Sequence, residues 1–240
     1  VVYLQDGSVH LFEIDTRDLS VVVPADGVSR RNLRISEDLV AWEQDGPAGS
    51  DIYACHLAAP TPFPVANSDA EELLLGVDAG WVAYVAQDFS FPYWSEDLPG
   101  RNVYGYDTST NTSSRLTDYV PPTDGEAALT VSTGGDFSDG VITWHRESHG
   151  WLGSVIGWSD TYRLGAEKLT MGLDVAPVLL SSRAGESTPA TAGGKVFWCQ
   201  EDPVSPHDEQ VWVWEDGSSR RVTTEADDPY TDHLDPIAGE

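Results

Sequence analysis

The chain has 240 residues, 40 of them acidic and 13 basic, for a formal net charge of −27. Such a surface repels phosphate backbones and anionic membranes, which excludes nucleic acid and membrane surfaces as partners, and it attracts cations, amines and basic proteins. Hydrophobic residues make up 40% of the chain, enough for a packed core, and the longest apolar run is far too short for membrane insertion. Lys168 and Lys195 are the only lysines. An acidic, lysine-poor surface also suits high salt, so the charge alone does not specify a cation ligand.

The chain begins at Val1 rather than Met and reads as a mature or trimmed form. An aromatic strand with a polar, acidic end opens it, Val2-Tyr3-Leu4-Gln5-Asp6. It recurs at Ala41-Trp42-Glu43-Gln44-Asp45, Ala83-Tyr84-Val85-Ala86-Gln87-Asp88, Thr143-Trp144-His145-Arg146-Glu147 and Phe197-Trp198-Cys199-Gln200-Glu201-Asp202. Four copies follow a turn pair: Glu37-Asp38, Ala79-Gly80, Asp139-Gly140 and Gly193-Gly194. After each copy comes a loop and an apolar strand: Val9 to Phe12, Ile52 to Cys55, Val103 to Tyr106, Val155 to Trp158 and Val211 to Trp214. Their β-branched and aromatic content favours strands, and their near-continuous apolarity favours burial on both faces. A third strand is expected at Leu19 to Val23, Phe63 to Ala66, Arg115 to Thr117, Lys168 to Thr170 and Arg221 to Thr223. A less regular segment then leads into the next unit, at Asn32 to Ser36, Leu73 to Asp78, Ala128 to Ser132, Ser187 to Thr191 and Leu234 to Ala238.

Four strands per unit at a period of about 40 to 60 residues is the pattern of a β-propeller. The expectation is an all-β, single-domain chain (1–240), a five-bladed β-propeller with four-stranded antiparallel blades. The chain starts on the second strand of a unit and ends after the first strand of one. The ring is therefore expected to close by pairing the N- and C-terminal strands in one blade, which leaves no bare edge there.

The strings Ile35-Ser36-Glu37-Asp38-Leu39-Val40-Ala41-Trp42, Asp51-Ile52-Tyr53 and Asn102 to Asp107 leading to Arg115-Leu116-Thr117 resemble the TolB-type, WD-repeat-like bacterial propeller family. The resemblance covers nearly all the chain. It departs from that family in having five units where six are common, and in mostly lacking a Ser-Pro-Asp-Gly turn. It implies a periplasmic or extracellular location and a role in protein–protein contacts.

Two features are candidates for function. Equivalent strand ends of a propeller open on one face, so Asp6, Asp45, Asp88, Glu147, Glu201 and Asp202 are candidates to converge near the axis. Carboxylates about 8 Å apart repel by roughly 2 kcal/mol at an effective dielectric near 20, and hard oxygen donors suit calcium. Asp6, Asp45, Asp88, Glu147 and Asp202 are the candidate metal ligands. The second feature is the set of long loops after these strands. Phe89, Phe91, Tyr93, Trp94, His149, Trp151 and His207 form the candidate ligand-binding set, an aromatic patch fit to grip a protein or peptide or to stack on a saccharide. The repeated core aromatics Tyr3, Trp42, Tyr84, Trp144 and Trp198 read as packing. Cys55 and Cys199 fall in non-adjacent units and read as buried thiols.

No nucleophile elbow, phosphate loop, dinucleotide fingerprint or helical zinc motif is present in the sequence. The leading expectation is a non-catalytic ligand- or protein-binding propeller. The alternatives are a calcium-dependent hydrolase or lactonase using an axial ion with His145 or His149 as base, and a five-bladed glycoside hydrolase using paired carboxylates.

Overall fold

The structure is a computed structural model. It describes residues 1–46, 49–88, 100–117, 128–149, 155–165, 178–181, 189–201 and 209–223, with backbone alone for 87–88, 100, 128–134, 145–149, 155–165, 178–179, 181, 201 and 209. The described residues are all-β, with no helix among them.

The chain divides into two compact units, residues 1–87 with 104–114, and residues 88–103 with 115–240. The first unit opens with a meander of β1 (Val2–Gln5), β2 (Ser8–Phe12) and β3 (Leu19–Val23), in the order β1-β2-β3. A second meander follows, β4 (Arg30–Ser36), β5 (Leu39–Asp45), β6 (Ser50–His56) and β7 (Ala59–Ala66), in the order β4-β5-β6-β7. Next come β8 (Glu72–Asp78), β9 (Trp81–Asp88), β10 (Gly100–Asp107) and β11 (Thr112–Arg115), again neighbours in chain order. The second unit contains β12 (Ala128–Ser138), β13 (Val141–His149), β14 (Val155–Gly165) and β15 (Val178–Ser181). It also contains β16 (Ala190–Ala192), β17 (Lys195–Glu201), β18 (Glu209–Glu215) and β19 (Ser218–Arg221). Both sets pair antiparallel in chain order.

The tight turns follow from local chemistry. Both central residues have positive φ at Asp6-Gly7 (49° and 80°), Ala79-Gly80 (46° and 81°), Asp139-Gly140 (49° and 75°), Gly193-Gly194 (57° and 72°) and Asp216-Gly217 (50° and 82°). These are the mirror-image turns whose twist matches that of a hairpin. Ala79 is the costly member, because its methyl group crowds the following carbonyl in the left-handed region. Bulges recur in the entry strands, between Arg31 and Arg34 in β4, Leu74 and Gly76 in β8, and Val131 and Gly135 in β12. Each adds local twist. The outermost strand β7 carries Pro60, Pro62 and Pro64 at alternate positions, tolerable only because an edge strand needs donors on one side alone.

Side-chain packing repeats with the strands. Trp42, Trp144 and Trp198 are buried, as is Tyr84. Each such Trp removes at most about 4–6 kcal/mol worth of apolar surface from water. The buried indole of Trp42 donates to Gln44 Oε1 at 3.1 Å, and that of Trp198 to Gln200 Oε1 at 3.4 Å. The Gln of the recurring aromatic strand thus satisfies the ring two residues before it, on the same face. The ring also stacks on its cross-strand partner: Tyr3 on His10 at 5.2 Å, Tyr84 on Tyr104 at 5.3 Å, and Trp198 on Trp212 at 6.5 Å. In the first unit Val9, Val23, Val40, Trp42 and Cys55 pack between the first two meanders, while Leu39, Ile52, Leu74, Val82 and Tyr106 pack between the second and third. In the second unit Val141, Val196 and Trp198 form a cluster with Trp212 and Trp214.

Candidate functional site

Hydrogen bonds tie the entry strands of successive meanders together inside each unit. Ser36 Oγ donates to Asp78 Oδ1 at 3.2 Å, joining β4 to β8. Asp136 Oδ2 accepts from Thr191 N at 2.8 Å and from Thr191 Oγ1 at 3.0 Å, joining β12 to β16. The densest junction is built on Glu43, whose carboxylate is buried on β5. Its Oε1 accepts from Leu74 N at 2.8 Å and from Asn32 Nδ2 at 2.9 Å, and Oε2 meets Arg31 Nε at 3.2 Å. Asn32 also donates to Leu74 O at 2.8 Å and stands at φ 47° in the β4 bulge. Leu74 lies at the matching bulge of β8, so Glu43 and Asn32 supply the partners that the interrupted ladder does not.

Beside this junction lies a group of buried acids. Asp51 and Ser50 open β6, and Glu72 opens β8. Glu72 and Ser50 are each 1% exposed and Asp51 6%. Glu72 Oε1 accepts from the Ser68 hydroxyl and from Ser68 N. Glu72 Oε2, Asp51 Oδ1 and Ser50 Oγ are buried without a hydrogen-bond partner. Burial pushes the Glu72 carboxyl above its ordinary range; the Ser68 bonds oppose this and the Asp51 charge adds to it. Burial alone pushes Asp51 up. The segment before β6 fits closely here: a methyl group placed on Gly46 would lie 2.2 Å from Asp51 Oδ1, and one on Gly49 would lie 3.3 Å from Glu71 Cβ.

The residues expected from the sequence are placed as follows. Asp6 is exposed in the β1–β2 turn. The carbonyl of Gly7 next to it accepts from Arg30 Nη1 at 2.6 Å, and Arg30 also binds Asp26 at 2.7 Å and lies over the Trp42 ring at 5.9 Å. Asp45, at the equivalent end of β5, is exposed and pairs with Arg31 Nη1 at 2.6 Å. Asp88, Glu147 and His149 are backbone positions at the ends of β9 and β13. Phe89, Phe91, Tyr93, Trp94, Trp151, Asp202 and His207 lie outside the described residues. Among the described residues, no group of three or more His, Cys, Asp and Glu is placed to hold a metal ion. Asp51, Glu72 and Glu43 are not among the residues expected from the sequence. The available signal was a polar pair, Ser50-Asp51, heading an apolar strand, and Glu71-Glu72 abutting the apolar run from Leu73 to Val77.

No protein-family model matches the chain, and no curated protein matches it in sequence. Solved structures do match. The β-propeller domain of the Trilobed protease from Pyrococcus furiosus aligns over 90% of this chain and 61% of its own, at 8% identity and a TM-score of 0.54. A TolB-type protein from Agrobacterium tumefaciens aligns over 92% of this chain and 75% of its own, at 15% identity and a TM-score of 0.53. The fold is a TolB-like β-propeller fold. The dipeptidyl peptidase 4 of Porphyromonas gingivalis aligns over 90% of this chain at 12% identity and a TM-score of 0.58, and the chain spans 35% of that protein's length. Propellers similar to this one thus occur both in TolB and in enzymes, and identities this low carry the fold and not the activity. No helix among the described residues is long and apolar enough to cross a membrane.

Proposed function

We propose that the chain is a five-bladed propeller acting as a non-catalytic binding module outside the cytoplasm, and that it takes a cationic protein or peptide on its long-loop face. The carrying observation is an asymmetry within the meanders. The connections from entry strand to aromatic strand are two-residue turns, at 37–38, 79–80, 139–140 and 193–194. The connections leaving the aromatic strand are longer in every meander after the first: Asp6-Gly7, then residues 46–49, 89–99, 150–154 and 202–208. In antiparallel meanders these two kinds of connection lie at opposite ends; the end reached from the aromatic strand also carries the links between meanders, at 24–29, 67–71, 116–127 and 182–189, so more of the chain lies there, and long connections on a regular scaffold commonly carry recognition. The sequence supplies Phe89, Phe91, Tyr93, Trp94 and Trp151 there, with His149 and His207. The net charge of −27 draws basic partners to the surface and gives a neutral saccharide no such attraction. In this reading the segment Leu234 to Ala238 completes the first blade beside β1.

The test is selection of a random displayed-peptide library, with a glycan array in parallel, on the intact chain and on a Phe91→Ser/Trp94→Ser variant. Enrichment of basic, aromatic-containing peptides that bind the intact chain and not the variant supports the reading. Peptide binding that survives the double substitution, or saccharide binding alone, overturns it.

A further inference from the structure

The first meander ends in a strand unlike the other outer strands. β7 carries Pro60, Pro62 and Pro64, β11 reads Thr112-Ser113-Ser114-Arg115, and β19 reads Ser218-Ser219-Arg220-Arg221. Prolines, charges and hydroxyl groups suit an edge that meets water. β3 reads Leu19-Ser20-Val21-Val22-Val23, with no proline and no charge. Val22 and Val23 are buried and anchor it in the core shared with the second meander, while Leu19 is 58% exposed and Val21 56%. The backbone of those two exposed residues is turned outward as well. Val1 N donates to Phe12 O at 3.0 Å and Phe12 N donates to Val1 O at 2.8 Å, so both polar groups of Phe12 face β1. Leu19 is the cross-strand partner of Phe12, and Val21, two residues along, is that of His10. These are therefore the non-hydrogen-bonded pairs of the ladder, and the N–H and C=O of Leu19 and Val21 point away from β2. A meander packed on the Tyr3 face does not by itself cover this rim. Pro64 is paired with Tyr53 as Val21 is with His10, and it stays exposed where the first meander packs on that face of the second.

We propose that β3 is a strand-addition site for an extended segment of a partner protein in which apolar and basic residues alternate. Leu19 and Val21 offer their outward amides and carbonyls to the added strand, and their side chains give its alternate residues an apolar strip to lie on. Charge decides the occupant. The hairpin leading into β3 exposes Glu13, Asp15 and Asp18 against one base, Arg17, and the whole chain stands at −27. A second copy brings an equal negative charge to the edge and is repelled, whereas a basic strand is drawn to it. The site uses none of the long-loop residues, so it stands apart from the reading given above.

The experiment uses the whole chain, Val21→Pro, Leu19→Lys/Val21→Lys and, as a control, Phe91→Ser/Trp94→Ser. The probe is a short, end-blocked peptide alternating valine and lysine, with its valine–glutamate counterpart beside it. Fluorescence anisotropy of the labelled peptide reads affinity, and amide hydrogen exchange reads where it binds. The valine–lysine peptide is expected to slow exchange at the Leu19 and Val21 amides about tenfold or more, and to affect Ser20, already bonded to β2, far less. Val21→Pro removes an outward donor and no bond to β2, and is expected to weaken binding about tenfold. The lysine pair keeps the backbone and removes the apolar strip and the attraction, and is expected to weaken binding at least as much. The long-loop control is expected to bind as wild type does. The proposal is overturned if the Leu19 and Val21 amides gain no protection, if the glutamate peptide binds as well, or if both β3 variants bind unchanged. Protection of these amides that rises with protein concentration and needs no peptide overturns it too, by making a second copy the occupant.

Discussion

Replacing Glu43 by alanine tests the junction between β5 and β8. The substitution leaves the buried Leu74 N–H without an acceptor, since Glu43 Oε1 is its partner at 2.8 Å. An orphaned buried donor costs about 1–3 kcal/mol. Asn32 loses one bond and keeps Leu74 O at 2.8 Å, so its loss is smaller, about 0.5–1 kcal/mol. Arg31 is half-exposed and keeps Asp45 at 2.6 Å, so the broken ion pair adds roughly 0.5 kcal/mol or less. The sum is about 2–4 kcal/mol, equivalent to roughly 4–16 °C in melting temperature for a chain of this size. Glu43→Gln keeps an acceptor at Oε1 for both donors and is expected to lose about 1 kcal/mol or less. Urea unfolding followed by tryptophan fluorescence, with the slope checked for constancy, measures both. Equal losses for Ala and Gln would show that the charge rather than the acceptor matters, and a loss below about 0.5 kcal/mol for Ala would refute the junction argument.

Three further outcomes follow from local geometry. Ala79→Gly relieves a left-handed methyl at φ 46° and is expected to stabilise by about 0.5–1 kcal/mol despite the greater freedom of the unfolded chain, read as a raised urea midpoint. Cys55 and Cys199 are buried and outside any disulfide, and burial pushes the Cys55 thiol up to about 11. Both are expected to react with an aromatic disulfide reagent only on unfolding, and prompt labelling of the native chain would contradict their placement. The pH dependence carries a sign. Glu72 has a folded pKa raised above its ordinary 4.5, so the folded state binds the proton more tightly. Its contribution to stability is full below 4.5 and lost as pH rises through the folded value. The difference in melting temperature between wild type and Glu72→Gln should widen over that window, and a pH-independent difference would contradict the burial of Glu72.

Much of the strand pattern is legible from residue types. Leu19 to Val23 is β3 at both ends, and the turn pairs Ala79-Gly80, Asp139-Gly140 and Gly193-Gly194 sit where the sequence puts them because glycine and aspartate tolerate positive φ. Strand ends are less legible. β11 ends at Arg115, with the Thr117 hydroxyl rather than a ladder bond serving Val103 N at 2.9 Å, and β12 runs on to Ser138 across its bulge. Lys168 to Thr170 and Leu234 to Ala238 lie outside the described residues. The acids show the limit of pattern reading. Asp45 and Glu43 are two residues apart on one strand and alike in type, yet one is exposed and the other buried under three contacts. What separates them is the β8 bulge about 30 residues later in the chain, and nothing local records it. Gln44 and Gln200 likewise read as parts of a polar strand end, while their task is to receive an indole N–H.

The alternating prolines of β7 have a consequence for how the protein behaves in company. A free strand edge recruits other chains by offering a row of donors and acceptors in register. Pro60, Pro62 and Pro64 fall on every second residue, so three amide positions of this strand carry no hydrogen. An incoming strand finds those donors missing. Strand addition at this edge is thereby weakened, which guards concentrated solutions of the folded chain against edge-to-edge growth there.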